Sequence, residues 1–262
     1  MSRQQASSWV FDLGNSRLKF ASVDETGRVG PVTAIGHDGQ EFVAGWAHAL
    51  PADMTVACIA SVAPTRLRVS LLETLVQRCN HITLARTQHR LGDVEIAYSV
   101  PERLGVDRFL GLLAARERGH VDSLVVGVGT ALTIDWLGAD GRHRGGRIAP
   151  SPHLMRESLQ ARAAHLPVTG GGYVEFADDT DAGLASGCIG SALALIERSL
   201  DLVRSQARSS PVLLMHGGGR EPLLALLPDA VEVPALVLEG LAIWSRACAG
   251  GEAVADNEQS RS

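Results

Sequence analysis

Eight consecutive residues, Asp12-Leu13-Gly14-Asn15-Ser16-Arg17-Leu18-Lys19, gather an acid, a glycine, small polar donors and two cations. A turn of glycine and small polar residues presents backbone N–H groups as an anion nest, and a nearby carboxylate can hold Mg²⁺ or its waters. If the flanking residues are strands, alternation puts Arg17 and Lys19 on one face and Leu18 on the other. A charged hairpin on a solvated edge strand would share this composition, so the segment alone leaves both readings open. A second glycine loop, Gly127-Val128-Gly129-Thr130, favours phosphate chemistry, and neither loop matches a Walker loop or a dinucleotide fingerprint. Phosphoryl transfer also needs a positioned base for the acceptor hydroxyl. Gly105-Val106-Asp107-Arg108 offers an Asp beside an Arg at an expected helix start, where the helix dipole alone would also favour an acid. Of the 24 basic residues only Lys19 is a lysine, which singles it out for a task that calls for a compact ammonium.

The elements that must carry these residues read as α/β. Trp9 to Leu13 and Leu18 to Val23 are expected strands around the turn Gly14-Asn15-Ser16. A strand at Pro31 to Ile35, a helix near Gln40 to Leu50 and a strand at Thr55 to Ser61 follow. Pro64 opens a helix from about Thr65 to Arg78, with Leu67, Leu71, Leu72 and Leu75 on its apolar side. A strand at His81 to Leu84 and a largely buried helix from Val106 to Arg118 complete the first half. The pattern then restarts: Ser123 to Gly127 and Ala131 to Leu137 are strand, glycine turn and strand, followed by a strand at Arg144 to Ala149. Phe11-Asp12-Leu13-Gly14-Asn15 aligns with Val126-Gly127-Val128-Gly129-Thr130, which points to two related halves. Helices at Pro152 to His165 and Thr180 to Ser205, a strand at Val212 to His216, and helices at Arg220 to Leu227 and Val237 to Ala249 follow. The expected architecture is a duplicated α/β fold with its active site in the cleft between halves. Two facing phosphate hairpins are what an ATP-dependent phosphotransferase of actin-like (ribonuclease H-like) architecture requires. Its expected domains are residues 1–118, residues 119–249, and a mobile tail at 250–262.

Composition bounds the setting. The chain has 262 residues, 45% hydrophobic and 20% charged, with a net charge of −5, which places it among globular proteins large enough to bury a core without staples. A pI near 6.0 and the lack of a basic cluster argue against nucleic acid. Met1 to Ser8 hold no apolar stretch and no window reaches about 18 uninterrupted apolar residues, so neither a secretory signal nor a membrane span is expected. Cys58, Cys79, Cys188 and Cys248 are scattered without metal-ligand spacing, as suits free thiols in a cytoplasmic protein. No His pair stands at helical i, i+4 spacing with a neighbouring Glu, and the four tryptophans read as packing residues.

Taken in order, these motifs resemble those of the type III pantothenate kinases, members of the acetate and sugar kinase, heat-shock and actin-like superfamily, from about Trp9 to Ala247. Asp12 to Lys19 resembles the first phosphate loop, D-x-G-N-[ST]-x-x-K. Tyr98, Pro101 and Gly105 to Arg108 are similar to the pantothenate-binding segment, and Gly129-Thr130-Ala131 with Thr133 to the second phosphate loop. Gly145-Gly146-Arg147-Ile148 with Pro150 resembles the G-G-x-I-x-P strand end, with Ser151 where glycine is common. Asp179-Thr180 with Ser186-Gly187 corresponds to N-T…S-G, and His216 to Gly219 to the adenosine-side glycine loop.

The resemblance implies transfer of the ATP γ-phosphoryl group to the primary hydroxyl of pantothenate, the first step of coenzyme A synthesis, by a cytoplasmic homodimer. Asp107 would be the general base. Tyr98, Gly105, Val106, Asp107, Arg108 and Thr180 would contact pantothenate. Asp12 would organise Mg²⁺ through water, and Asp12, Leu13, Gly14, Asn15, Ser16, Arg17, Leu18, Lys19, Gly129 and Thr130 would handle ATP and its phosphates. One departure stands out. Where the family usually carries an Asp that binds a monovalent cation such as K⁺ or NH₄⁺, this chain has Gly127, with Asp135 the nearest acid along the following strand. Activity is therefore expected to depend less on such a cation. Two other readings stay open: a catalytically weak nucleotide- or pantothenate-binding regulatory protein, and a sugar kinase of the same superfamily, since fold does not fix substrate.

Overall fold

The structure, a computed structural model, describes residues 7–207 and 209–250, and the polar tail expected beyond Gly250 lies outside them. The chain divides into two compact units, one of residues 1–118 with 235–262 and one of Gly119–Pro234.

In the first unit, β1 (Ser8–Leu13), β2 (Arg17–Val23), β3 (Thr33–Gly36), β4 (Met54–Ser61), α1 (Thr65–Leu75) and β5 (Cys79–Leu84) build a sheet of order β3-β2-β1-β4-β5. Strands β3, β2 and β1 run antiparallel, while β1, β4 and β5 are parallel. Period-two alternation sends Phe11, Leu13, Leu18 and Phe20 to one face, where they meet Leu67, Leu71 and Leu75 of α1 in one buried cluster. A small hairpin, β6 (Arg90–Leu91) and β7 (Val94–Glu95), and a 3₁₀ turn at Pro101–Arg103 lead into α2 (Val106–Glu117).

The second unit repeats the scheme. Its strands β8 (Ser123–Val128), β9 (Ala131–Leu137) and β10 (His143–Pro150), helices α3 (Pro152–Gln160) and α4 (Thr180–Gln206), β11 (Val212–His216), α5 (Glu221–Leu224) and β12 (Val231–Glu232) give a sheet of order β10-β9-β8-β11-β12. The pairing senses match the first sheet strand for strand. The internal duplication read from two short segments is therefore a property of both whole sheets.

Several boundaries differ from expectation. The final helix α6 (Leu236–Ala249) packs on α2, β1 and β4, so it belongs with the first unit and not with residues 119–249 as sequence order implied. Only a 3₁₀ turn at Trp46–Ala49 stands where a helix over Gln40 to Leu50 was expected. Asp38 closes a tight turn by accepting the Gln40 and Glu41 N–H groups at 2.8 and 2.7 Å, and the chain is left-handed at Gly39 and Gly45. The helix from Pro152 ends at Gln160, that from Thr65 at Leu75, and only Glu221–Leu224 of the expected Arg220 to Leu227 segment is α-helical. Short elements such as β6, β7 and β12 carry too few residues to show a period.

Candidate active site

The first hairpin sets the charged face. Because Phe11, Leu13, Leu18 and Phe20 fill the α1 side of the sheet, Asp12 and Lys19 must point to the other side. The two are direct cross-strand partners in the β1–β2 register. The Gly14 N–H donates to the Arg17 carbonyl at 3.0 Å, which closes the turn, and Asn15, Ser16 and Arg17 are exposed at its tip. Leu13 and Leu18, expected among the phosphate-handling residues, bury their side chains completely in the core and have only backbone to offer.

The second contribution comes from the start of α2. The buried Thr87 hydroxyl donates to the Leu104 carbonyl at 2.8 Å, anchoring the chain just before Gly105. Asp107 folds back toward the helix start, where its Oδ1 accepts the Arg108 N–H at 2.9 Å. A Cβ on Gly105 would lie 2.6 Å from that same oxygen, so the bare glycine is what gives the Asp107 carboxylate room. The Arg108 side chain is only 7% exposed; its guanidinium donates to the Tyr98 hydroxyl at 3.2 Å and lies 5.8 Å from the centre of the Tyr98 ring. Arg108 is thereby held rigid at the Asp107 end of the helix.

Electrostatics ties the two contributions together. The Asp12 carboxyl is pushed up to about 7, first by burial and then by the negative charge of Asp107, against the opposing pull of Lys19. Two carboxylates that repel one another beside an ammonium make a place where a cation is favoured. Asp12 and Asp107 therefore fit Mg²⁺ brought in with a nucleotide. Among the described residues no group of three or more His, Cys, Asp or Glu gathers as a metal cage.

The second unit holds the other glycine loops. At the β8–β9 turn the Gly129 N–H donates to the Ala131 carbonyl at 2.9 Å, and Gly129 and Thr130 are exposed. The loop after β11 folds onto this turn: the Gly219 N–H donates to the Val128 carbonyl at 2.9 Å, and a Cβ on Gly217 would lie 2.3 Å from that oxygen. Arg220 braces the loop by donating to the Gly217 carbonyl at 2.7 Å and pairing with Glu232. Thr180 opens α4, where Asp179 caps the helix by accepting the Ala182 N–H at 2.9 Å. Asp12, Lys19, Tyr98 and Gly105 to Arg108 thus come together in the first unit, and Gly129, Thr130 and Thr180 lie in the second.

The residues do not fit a monovalent cation held by a side chain at position 127. A Cβ there would lie 2.7 Å from Thr133 Oγ1 and 2.9 Å from His216 Nε2, so the space beside Gly127 already holds a hydroxyl and an imidazole. Asp135 is buried and bound to His143 Nε2 at 2.9 Å, which commits its carboxylate elsewhere. His143 is buried as the other half of this internal pair.

Residues 9–201 match the family model for type III pantothenate kinase. The chain belongs to that family. A type III pantothenate kinase of Stenotrophomonas maltophilia is 52% identical over 239 residues, spanning 91% of this chain and 97% of the relative. One from Xanthomonas campestris pv. campestris is 53% identical over the same shares. Among solved structures, a candidate Baf family transcriptional activator from Campylobacter jejuni superposes with TM-score 0.61 at 17% identity, covering 92% of this chain and 99% of that one. A candidate 2-dehydro-3-deoxygalactonokinase from Sinorhizobium meliloti gives 0.54 at 16% identity over the same shares. These likenesses bear on the fold, a duplicated α/β actin-like architecture. The protein is accordingly a kinase of this family, with ATP as co-substrate.

Proposed function

We propose that the protein transfers the γ-phosphoryl group of ATP to the primary hydroxyl of pantothenate, giving 4'-phosphopantothenate, the first step of coenzyme A biosynthesis. The observation that carries this reading is the clustering of Asp107 with Asp12 and Lys19 in one charged site, together with family membership. The Asp107 carboxylate accepts the hydroxyl proton as the oxygen attacks the γ-phosphorus, and the bond to the β,γ-bridging oxygen breaks to release ADP. The Asn15 and Ser16 backbone N–H groups and the Lys19 ammonium face the nucleotide phosphates. Asp12 would hold Mg²⁺, which would supply charge neutralisation to the phosphates. Tyr98 and the Gly105 to Arg108 turn receive pantothenate. ADP release from protein and Mg-ATP should require pantothenate and not occur with hexoses; no pantothenate-dependent turnover, or transfer to hexoses, would overturn the assignment.

Potassium and ammonium are dispensable in this reading, because Gly127 has no carboxylate and Asp135 is engaged by His143. Replacing K⁺ by a large tetraalkylammonium ion should change the rate by less than about twofold, and an absolute K⁺ requirement would refute the point. The working form is a homodimer. Ile148, Leu159, Val174 and Phe176 are exposed apolar side chains of the second unit, Phe176 98% exposed, that a second copy would cover. Sedimentation should return twice the chain mass of 27.7 kDa. A cytoplasmic location suits the four free cysteines of the described residues. No helix among those residues is long and apolar enough to cross a membrane.

A further inference from the structure

The turn Gly14 to Arg17 is not held by its own hairpin alone. His37, which follows β3, makes three hydrogen bonds that fix the turn or are fixed with it. Its backbone N–H donates to the Ser16 carbonyl at 3.2 Å. Its ring Nε2 lies 2.9 Å from the Gly14 carbonyl oxygen, and the Gly39 N–H points at its Nδ1 at 3.1 Å. The two ring contacts settle the tautomer by elimination: Gly39 offers only a donor, so Nδ1 accepts, and Gly14 offers only an acceptor, so Nε2 carries the proton and donates. The ring is itself clamped. It stands edge-on to Phe42 at 5.7 Å and 86°, and Phe42 in turn stacks on Trp46 at 4.0 Å. Below it, Asp38 closes the turn that presents the Gly39 N–H.

The bond to Gly14 matters because of peptide geometry. The Gly14 carbonyl and the Asn15 N–H belong to one planar trans unit and point in opposite directions. Pinning the carbonyl to the imidazole aims the Asn15 N–H away from it, on the exposed side of the turn. A glycine-containing turn left to itself can rotate this peptide, and every rotated state removes a donor from the anion nest.

We propose that His37 is a positioning residue for the nucleotide: a neutral Nε2–H imidazole that locks the Gly14–Asn15 peptide and so pre-organises the first phosphate turn for ATP. This rests on the reading that the Asp12 to Lys19 hairpin binds ATP phosphates. His37→Ala should raise KM for ATP, and the Kd of Mg-ADP measured by calorimetry, about tenfold, the scale of one lost bond in a pre-organised site. KM for pantothenate should move less than about twofold. His37→Gln, whose amide can reach the Gly14 carbonyl as a donor, should recover most of the nucleotide affinity; His37→Leu, of similar size with no donor, should not. Melting temperatures of all three separate loss of fold from loss of position.

Unchanged ATP KM and Mg-ADP Kd in His37→Ala would overturn the proposal. So would equal losses for both substrates that follow the melting temperature, or a His37→Gln no better than His37→Leu. Lys19→Ala, which removes the ammonium of the same hairpin, is the control for the underlying reading. If it weakens Mg-ADP while His37→Ala does not, only the role of His37 fails; if it too leaves Mg-ADP binding unmoved, the phosphate turn itself has been misread and the proposal falls with it.

Discussion

At the end of β1, Asp12 pairs across the sheet with Lys19 on one side and Ala60 on the other; at the end of β8, the equivalent position is Gly127, flanked by Thr133 and His216. The strand order and pairing senses are the same in both sheets. What differs is the chemistry placed on a shared scaffold. In the first unit a carboxylate and an ammonium face each other beside a small alanine, and burial, with a smaller push from the Asp107 carboxylate, raises Asp12 to about 7. In the second unit the central position is bare, and its two neighbours lean into the space a side chain would take. Both units share the same strand–glycine turn–strand backbone. The carboxylate–ammonium pair stands in one copy alone, so the proposed acid–base and metal roles fall to the first unit, while the second offers backbone and a hydroxyl.

Four substitutions would break or sharpen this contrast. Asp107→Asn removes the base and should lower kcat by roughly 10²- to 10⁴-fold with little change in KM for either substrate; equal turnover by this variant would mean the first unit does not supply the base. Lys19→Arg keeps charge but exchanges a compact ammonium for a planar fork, and should raise KM for ATP roughly five- to tenfold. Full retention of kcat and KM would make the one lysine among 24 basic residues incidental. Gly127→Asp restores an acid to the second hairpin against the Thr133 hydroxyl and His216 imidazole. Overpacking of about 1–3 kcal/mol should lower the melting temperature by several degrees, with no gain in potassium response; a stable, potassium-stimulated variant would show that the two hairpins can be made alike.

The smallest effect is a pH dependence. The Asp12 carboxyl rises from 3.8 to about 7 on folding, so between these values the folded chain binds more protons than the unfolded one. Stability must then fall as pH rises through that window. Asp12→Asn removes this penalty, and should raise the melting temperature of the nucleotide-free protein by a few degrees at pH 8, by clearly less at pH 5, and hardly at all near pH 3. The same gain at all three pH values would mean that the cause is not ionisation.

Much of the site was readable because its motifs are contiguous. Asp12 to Lys19 and Gly105 to Arg108 each bring their functional groups together within one turn, and strand alternation alone separates Lys19 from Leu18. The same alternation should have removed Leu13 and Leu18 from the binding set, since residues opposite to Asp12 and Lys19 on a hairpin must face the core. The role argued for His37 had no signal of its own. It stands in a segment read as leading into a helix, and its partner Gly14 lies far back in the chain; an isolated histidine after a short strand has no pattern to match. The pairing of Asp135 with His143 was likewise invisible, because a bulge between His143 and Gly146 sets which residues of β10 oppose β9.

The sequence by itself determined the duplicated α/β plan, the two glycine hairpins, the Asp at the start of α2 and the missing acid at 127, because each is written in local order and period. Tertiary structure decided where the last helix belongs, what fills the space beside Gly127, and that Asp12 and Asp107 stand close enough to shift a proton equilibrium. Those outcomes depend on which surfaces meet. Packing joins residues far apart in the chain through burial and charge, and neither period nor spacing along the chain encodes that distance.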